Sequence, residues 1–183
     1  MKIEKPRPIL LKDYLPSLHA IDTIDLDISL SAHVTRVAAK LAVKPNPAAR
    51  GKAGQPLVLD GEAIELESIS VDGRVLGPGE YSVNPTSLTL HRPPKGAFTL
   101  ETVVTCDPEA NKSLSGLYRS RGIYCTQCEA EGFRRITYFL DRPDVLSVYT
   151  TRIEADRDEA STLLSNGNLV ERGSLRGGNR HYA

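Results

Sequence analysis

An all-β domain, with more than one sheet packed on a common core, is the fold class this 183-residue sequence predicts. Three observations carry that expectation. Several runs alternate apolar and polar residues with a period of two, which is the pattern of a half-buried strand. Short turn-forming clusters separate those runs. Only residues 107–114 and 156–162 could hold helical turns.

Taken in order, residues 1–20 carry Pro6, Pro8 and Pro16 without periodicity and read as an extended amino-terminal arm. Residues 21–183 read as one β domain. In "IDTIDLDISLS", Ile24, Leu26, Ile28 and Leu30 share one face, with Asp25, Asp27, Ser29 and Ser31 on the other. "VAAKLAVKP" repeats the pattern through Val37, Ala39, Leu41 and Val43, which suggests an antiparallel neighbour. Residues 45–56 are a loop by composition. In "LVLDGEAIELESISVDGRVL" the alternation changes parity near Ser68, where a β-bulge would absorb the slip. "YSVNPTSLTLHRPP" and "AFTLETVVTCDP" supply further strands. The second puts Phe98, Leu100, Thr102, Val104 and Cys106 on one face, so Cys106 reads as a small buried hydrophobe. Residues 107–123 read as an irregular connection, and "VLSVYTTRIEAD" as a strand. Asn166-Gly167 between apolar runs reads as a hairpin turn. "SLRGGNRHYA" is a turn and a strand start that stops at Ala183, which suggests one domain of a longer polypeptide.

Composition narrows the function classes. Lys plus Arg and Asp plus Glu each number 23, so there is no basic excess for nucleic acid or an anionic membrane. No apolar run approaches the ~20 residues of a membrane helix. The amino-terminal apolar core, Ile9 to Leu11, is too short for a secretory signal. Three cysteines, an odd number, suit reduced thiols and a cytoplasmic protein.

Chemistry concentrates in "YCTQCEAEGFRRITYFLDRPDV", residues 124–145. Cys125 and Cys128 have zinc-ligand spacing, but a structural zinc site needs four ligands. The third thiol lies on a strand face, and His19, His33, His91 and His181 are scattered. On a strand, Glu129 and Glu131 would share a face, yet no acid partner is identifiable. Glu131, Arg134, Arg135 and Asp141 read as a solvated or ion-paired surface. The nucleophile-elbow, phosphate-loop and dinucleotide glycine motifs and the HExxH zinc helix do not occur in the sequence.

The order "YCTQCEAEGFRRITYFLDRPDVLSVYTTRIEAD", followed by "LLSNGNLVERGSL", closely resembles the amino-terminal domain of the bacterial aminopeptidase N family of gluzincin zinc metallopeptidases. The likeness extends upstream through "LSGLYRS", "PLVLDGEAIELESISVDG" and "IDTIDLDISL", from about Asp13 onward. It implies a saddle-like, multi-sheet and mostly antiparallel β-sandwich domain that packs against a catalytic domain. It implies that zinc, its ligands and the exopeptidase motif belong to that catalytic domain, with no cofactor in this chain. It also implies that Glu129 helps bind the α-amino group of a peptide, that Gln127 lines the first side-chain pocket, and that the Glu129-Ala130 bond is cis. The isolated domain would be inactive, and would expose an apolar face through which it could self-associate. From the residues alone, two other readings stay open: a stand-alone β-rich binding module, and a metal or redox protein using Cys125 and Cys128.

Overall fold

The computed structural model describes residues 10–49, 54–176 and 178–183. The two longest strands are the first two alternating runs. They are β1 (His19–Ser29) and β2 (Thr35–Pro45), paired antiparallel. Ile24, Leu26 and Ile28 of β1 are buried, as are Val37, Ala39, Leu41 and Val43 of β2. A bulge between Ile21 and Thr23 changes the parity of β1, so Ile21 also faces inward. β1 begins at His19, two residues inside the arm read from the sequence. Residues 1–9 of that arm lie outside the described residues, as do residues 50–53 of the loop after β2.

Downstream come β3 (Leu57–Asp60), β4 (Glu65–Val71), β5 (Arg74–Val75), β6 (Tyr81–Asn84), β7 (Ser87–Leu90) and β8 (Phe98–Cys106). The register of β4 on β8 shifts between Leu66 and Ser68, at the parity slip in the sequence. Beyond the slip, Ile69 and Val71 are buried. The remaining strands are β9 (Gly116–Ser120), β10 (Ile123–Gln127), β11 (Val148–Asp156), β12 (Gly173–Ser174) and β13 (Arg180–Tyr182).

Eight strands form one sheet in the order β12-β13-β11-β1-β2-β8-β4-β5; β3-β7-β6 form a second and β9-β10 a third. Among the described residues all pairings between these strands are antiparallel except that of β1 with β11, where Thr23 lies opposite Val148 and Ser29 opposite Glu154. The inner face of the large sheet meets Leu57 and Leu59 of β3, Leu88 and Leu90 of β7, and the crossing segment with Ile136, Tyr138, Phe139 and Leu140. Together they make one core. The outer face is polar. Asp25, Asp27, Lys40, Glu101 and Arg152 line a shallow depression of about 510 Å³ across it.

Gly61 shows how closely the crossing segment is seated. A Cβ there would lie 2.2 Å from Cε1 of Tyr138, whose side chain is almost fully buried. Gly61→Ala is therefore expected to destabilise the domain by about 1–2 kcal/mol through overpacking. Chemical denaturation that finds the midpoint unchanged would contradict it.

Three local expectations are corrected. Residues 107–123 are not wholly irregular, because β9 lies among them and pairs with β10. The turn joining the two is Arg121-Gly122, both residues with positive φ (+50° and +84°). That is the geometry of a tight two-residue hairpin, although arginine is not a residue that advertises it. Asn166-Gly167 does not make a hairpin: residues 161–172 contain no strand. Leu164, Leu169 and Val170 beside it are exposed, and a two-stranded ribbon with no surface to pack on is marginal. The windows 107–114 and 156–162 hold turns. The short 3₁₀ helices are instead Leu11–Asp13 and Phe133–Arg135.

Candidate functional site

The chemical segment begins on the β9-β10 hairpin. Asn111 holds the hairpin's start by donating from Nδ2 to the carbonyls of Ser115 (2.8 Å) and Leu117 (2.9 Å). Gly116 has φ +74°, and a Cβ on it would lie 2.4 Å from Cβ of Arg135. This close approach ties β9 to the 3₁₀ turn at Phe133–Arg135. Arg119 sits over the Tyr124 ring at 5.2 Å. The Tyr124 hydroxyl donates to Glu159 (2.8 Å). Burial and that carboxylate push the phenol up to about 12.

Beyond Gln127 the chain reverses. The Gly132 amide donates to the Cys128 carbonyl (2.8 Å), closing a one-turn loop over residues 128–132. Within it the Glu129-Ala130 peptide bond is cis. Gln127 reaches into the loop, donating from Nε2 to the Glu129 carbonyl (3.3 Å). Gln127 and Glu129 are both exposed. Among the described residues the Glu129 carboxylate has no ion-pair or hydrogen-bond partner, whereas Glu131, two residues on, pairs with Arg134 at 3.3 Å. The two glutamates therefore do not share a strand face. They sit on a turn with different surroundings.

Beneath the turn lies an ion network. Arg134 is mostly buried. Its Nε donates to Oδ2 of Asp141 (2.9 Å) and its Nη2 to the Asp141 carbonyl (3.0 Å). The Arg134 amide also donates to Asp141 Oδ2 (3.1 Å). Asp60 and Glu62 approach the same guanidinium at 3.8 and 3.9 Å. Arg135 pairs with Glu62 at 2.9 Å. From the sequence, Glu131, Arg134, Arg135 and Asp141 read as a solvated or ion-paired surface; they are ion-paired, but Asp141 is buried. The sequence gives no sign that Asp60 and Glu62, some seventy residues earlier, complete the group. Beside this network Phe133 packs edge-on against Phe139 and Tyr149, with ring centroids of Phe133 and Phe139 5.1 Å apart.

The thiols of Cys106, Cys125 and Cys128 are free. Among the described residues no three His, Cys, Asp or Glu side chains come together as a metal site. Burial, with a contribution from Asp107, pushes Cys106 up to about 11. Burial and nearby Asp141 raise the Cys128 thiol as well. At pH 8 only about a thousandth of Cys106 is then thiolate, the reactive form. Cys106 is expected to alkylate with iodoacetamide at least about tenfold more slowly than an ordinary exposed cysteine. Peptide mass spectrometry over a time course measures this, and equal rates would contradict the burial argument.

An apolar cleft of about 370 Å³ separates the hairpin from the large sheet, between Leu117, Tyr124, Ile28 and Leu163, with exposed Ile123 and Leu164 at its rim. Leu146, Val148 and Tyr149, where β11 begins, are also exposed. No helix among the described residues is long and apolar enough to cross a membrane.

The braced acidic turn thus sits on a domain built around a mixed eight-stranded sheet, and that fold belongs to a known class. The family model for the Peptidase M1 N-terminal domain matches residues 21–183, and the chain belongs to that family. Its relatives make the likeness particular. It is 52% identical over 183 residues to Aminopeptidase N of Caulobacter vibrioides, covering all of this chain and 20% of that protein. It is 40% identical over 180 residues to Aminopeptidase N of Escherichia coli, covering 98% of this chain and 20% of that protein. Among solved structures, Legionella pneumophila aminopeptidase A in complex with aspartic acid superposes with a TM-score of 0.86 at 35% identity, over 94% of this chain and 20% of that one. The M1 zinc metallopeptidase of Deinococcus radiodurans shares the fold at 16% identity, with a TM-score of 0.73. The chain thus spans about a fifth of the length of the curated relatives it matches.

Proposed function

We propose that this chain is the amino-terminal domain of a zinc-dependent aminopeptidase, and that it helps grip the free amino end of a peptide while a separate catalytic domain cleaves the first bond. Glu129 accepts a charge-assisted hydrogen bond from the substrate ammonium, and Gln127 lines the pocket for the first side chain. Zinc is held by residues outside this chain, so the domain is inactive alone. Its partner is the catalytic domain of its own polypeptide, which covers the exposed apolar residues around Ile123, Val148 and Leu164. The cytoplasm is the expected compartment, in keeping with three free thiols.

One observation carries this reading. Glu129 is exposed at the tip of a braced turn, without an ion pair among the described residues, while the acidic groups beside it are engaged. A carboxylate left available in this way can meet an ammonium from outside. Peptide bonds inside a chain carry no such charge, so the interaction selects ends. The assay is hydrolysis of an aminoacyl arylamide by the full-length protein, compared with its Glu129→Ala variant. Unchanged kcat/KM removes Glu129 from the site.

A further inference from the structure

Resting on that reading of Glu129, we propose that Arg134, acting through Glu131, is the positioning residue that holds Glu129 in its gripping orientation. Arg134 lies within 4 Å of four carboxylates. Three of them, Asp60, Glu62 and Asp141, belong to the body of the domain. Glu131 alone lies on the turn that carries Glu129.

The contacts separate two tasks. Asp141 is buried and takes three hydrogen bonds from Arg134, two of them at its carboxylate. That half of the cluster holds the domain together, because without Arg134 the buried Asp141 carboxylate would lose its ion-pair partner. Glu131 has a side chain 57% exposed, and water can solvate it if the pair is lost. Its tie to Arg134 is therefore dispensable for folding. It does connect the turn to the rigid network beneath. The other restraints on the turn, the Gly132 amide to the Cys128 carbonyl and Gln127 Nε2 to the Glu129 carbonyl, act on main-chain atoms of the turn itself. A group that must meet an ammonium gains from such anchoring, because less freedom is lost on binding.

Glu131→Gln in the full-length protein tests this, since replacing Arg134 would expose the Asp141 charge and confuse folding with function. The expected result with an aminoacyl arylamide is KM raised about 2- to 5-fold, in the range of a partly exposed ion pair, with kcat changed less than about 1.5-fold. Thermal stability stays within about 1 °C, as for a surface substitution. In a Glu129→Gln background the Glu131→Gln effect on KM disappears, because a brace has nothing left to position. An unchanged KM for Glu131→Gln, with Glu129→Gln impaired, overturns the brace and leaves the anchor standing. A KM effect that persists undiminished in the double variant overturns it too, because Glu131 would then act by its own charge. If Glu129→Gln itself has no effect, anchor and brace fall together.

Discussion

Replacing Glu129 with alanine is expected to lower kcat/KM of the full-length protein toward an aminoacyl arylamide by about 10- to 100-fold. That corresponds to losing one hydrogen bond between charged partners, about 1.5–3 kcal/mol. Size follows from the surroundings. The carboxylate is not consumed by an internal ion pair among the described residues, so its attraction is available to a ligand. Enclosure by a catalytic domain would lower the local dielectric and strengthen it. Glu129→Gln keeps the shape and an acceptor oxygen but loses the charge, and should fall between wild type and alanine. The loss should appear chiefly in KM if the amine is held equally in ground and transition states, and in kcat if the grip tightens as the bond breaks. A wild-type kcat/KM in the alanine variant would end the assignment.

Gly132→Ala is expected to destabilise this chain by roughly 3 kcal/mol, the upper end of overpacking costs, and to lower Tm by about 6–12 °C. Conformation is not the reason, since Gly132 has φ −100° and ψ −12°, which alanine adopts readily. Space is the reason. A Cβ there would lie 2.4 Å from the Gln127 carbonyl oxygen and 2.9 Å from both Cα of Cys128 and Oγ of Ser115. The first two are main-chain atoms, so no side-chain rotation relieves the clash and the turn must open. The same displacement would move Glu129, so kcat/KM should fall together with stability. Calorimetry giving a wild-type Tm would show that the turn yields freely, and would weaken the case for a rigid anchor.

Much of the β framework is visible in the residues. The alternation of Ile24, Leu26 and Ile28 names the buried face of β1 directly, and the parity slip at Ser68 marks the register shift of β4 on β8. These are local facts, because side chains alternate faces along a strand whatever its partner. Turn chemistry is less dependable. Asn166-Gly167 has the composition of a hairpin but no sheet to pack on, whereas Arg121-Gly122 lacks that composition and turns tightly because β9 and β10 pair. The segment containing Gln127 and Glu129 stands out in the sequence through its family resemblance. The full network around Arg134 does not, because Asp60 and Glu62 arrive from β3 and the loop after it.

The order of residues alone determined that this is a β protein and which side of its main strands is apolar. Each of those follows from neighbours a few positions apart. Tertiary structure alone decided that β11 lies parallel to β1 across 125 residues, that Tyr138 fills the space Gly61 leaves, and that Arg134 gathers four carboxylates beneath the turn. The physical reason is that such contacts join distant segments whose choice of partner is settled only when the whole core closes. A sequence pattern records the preference of each segment for burial, but not which other segment will cover it.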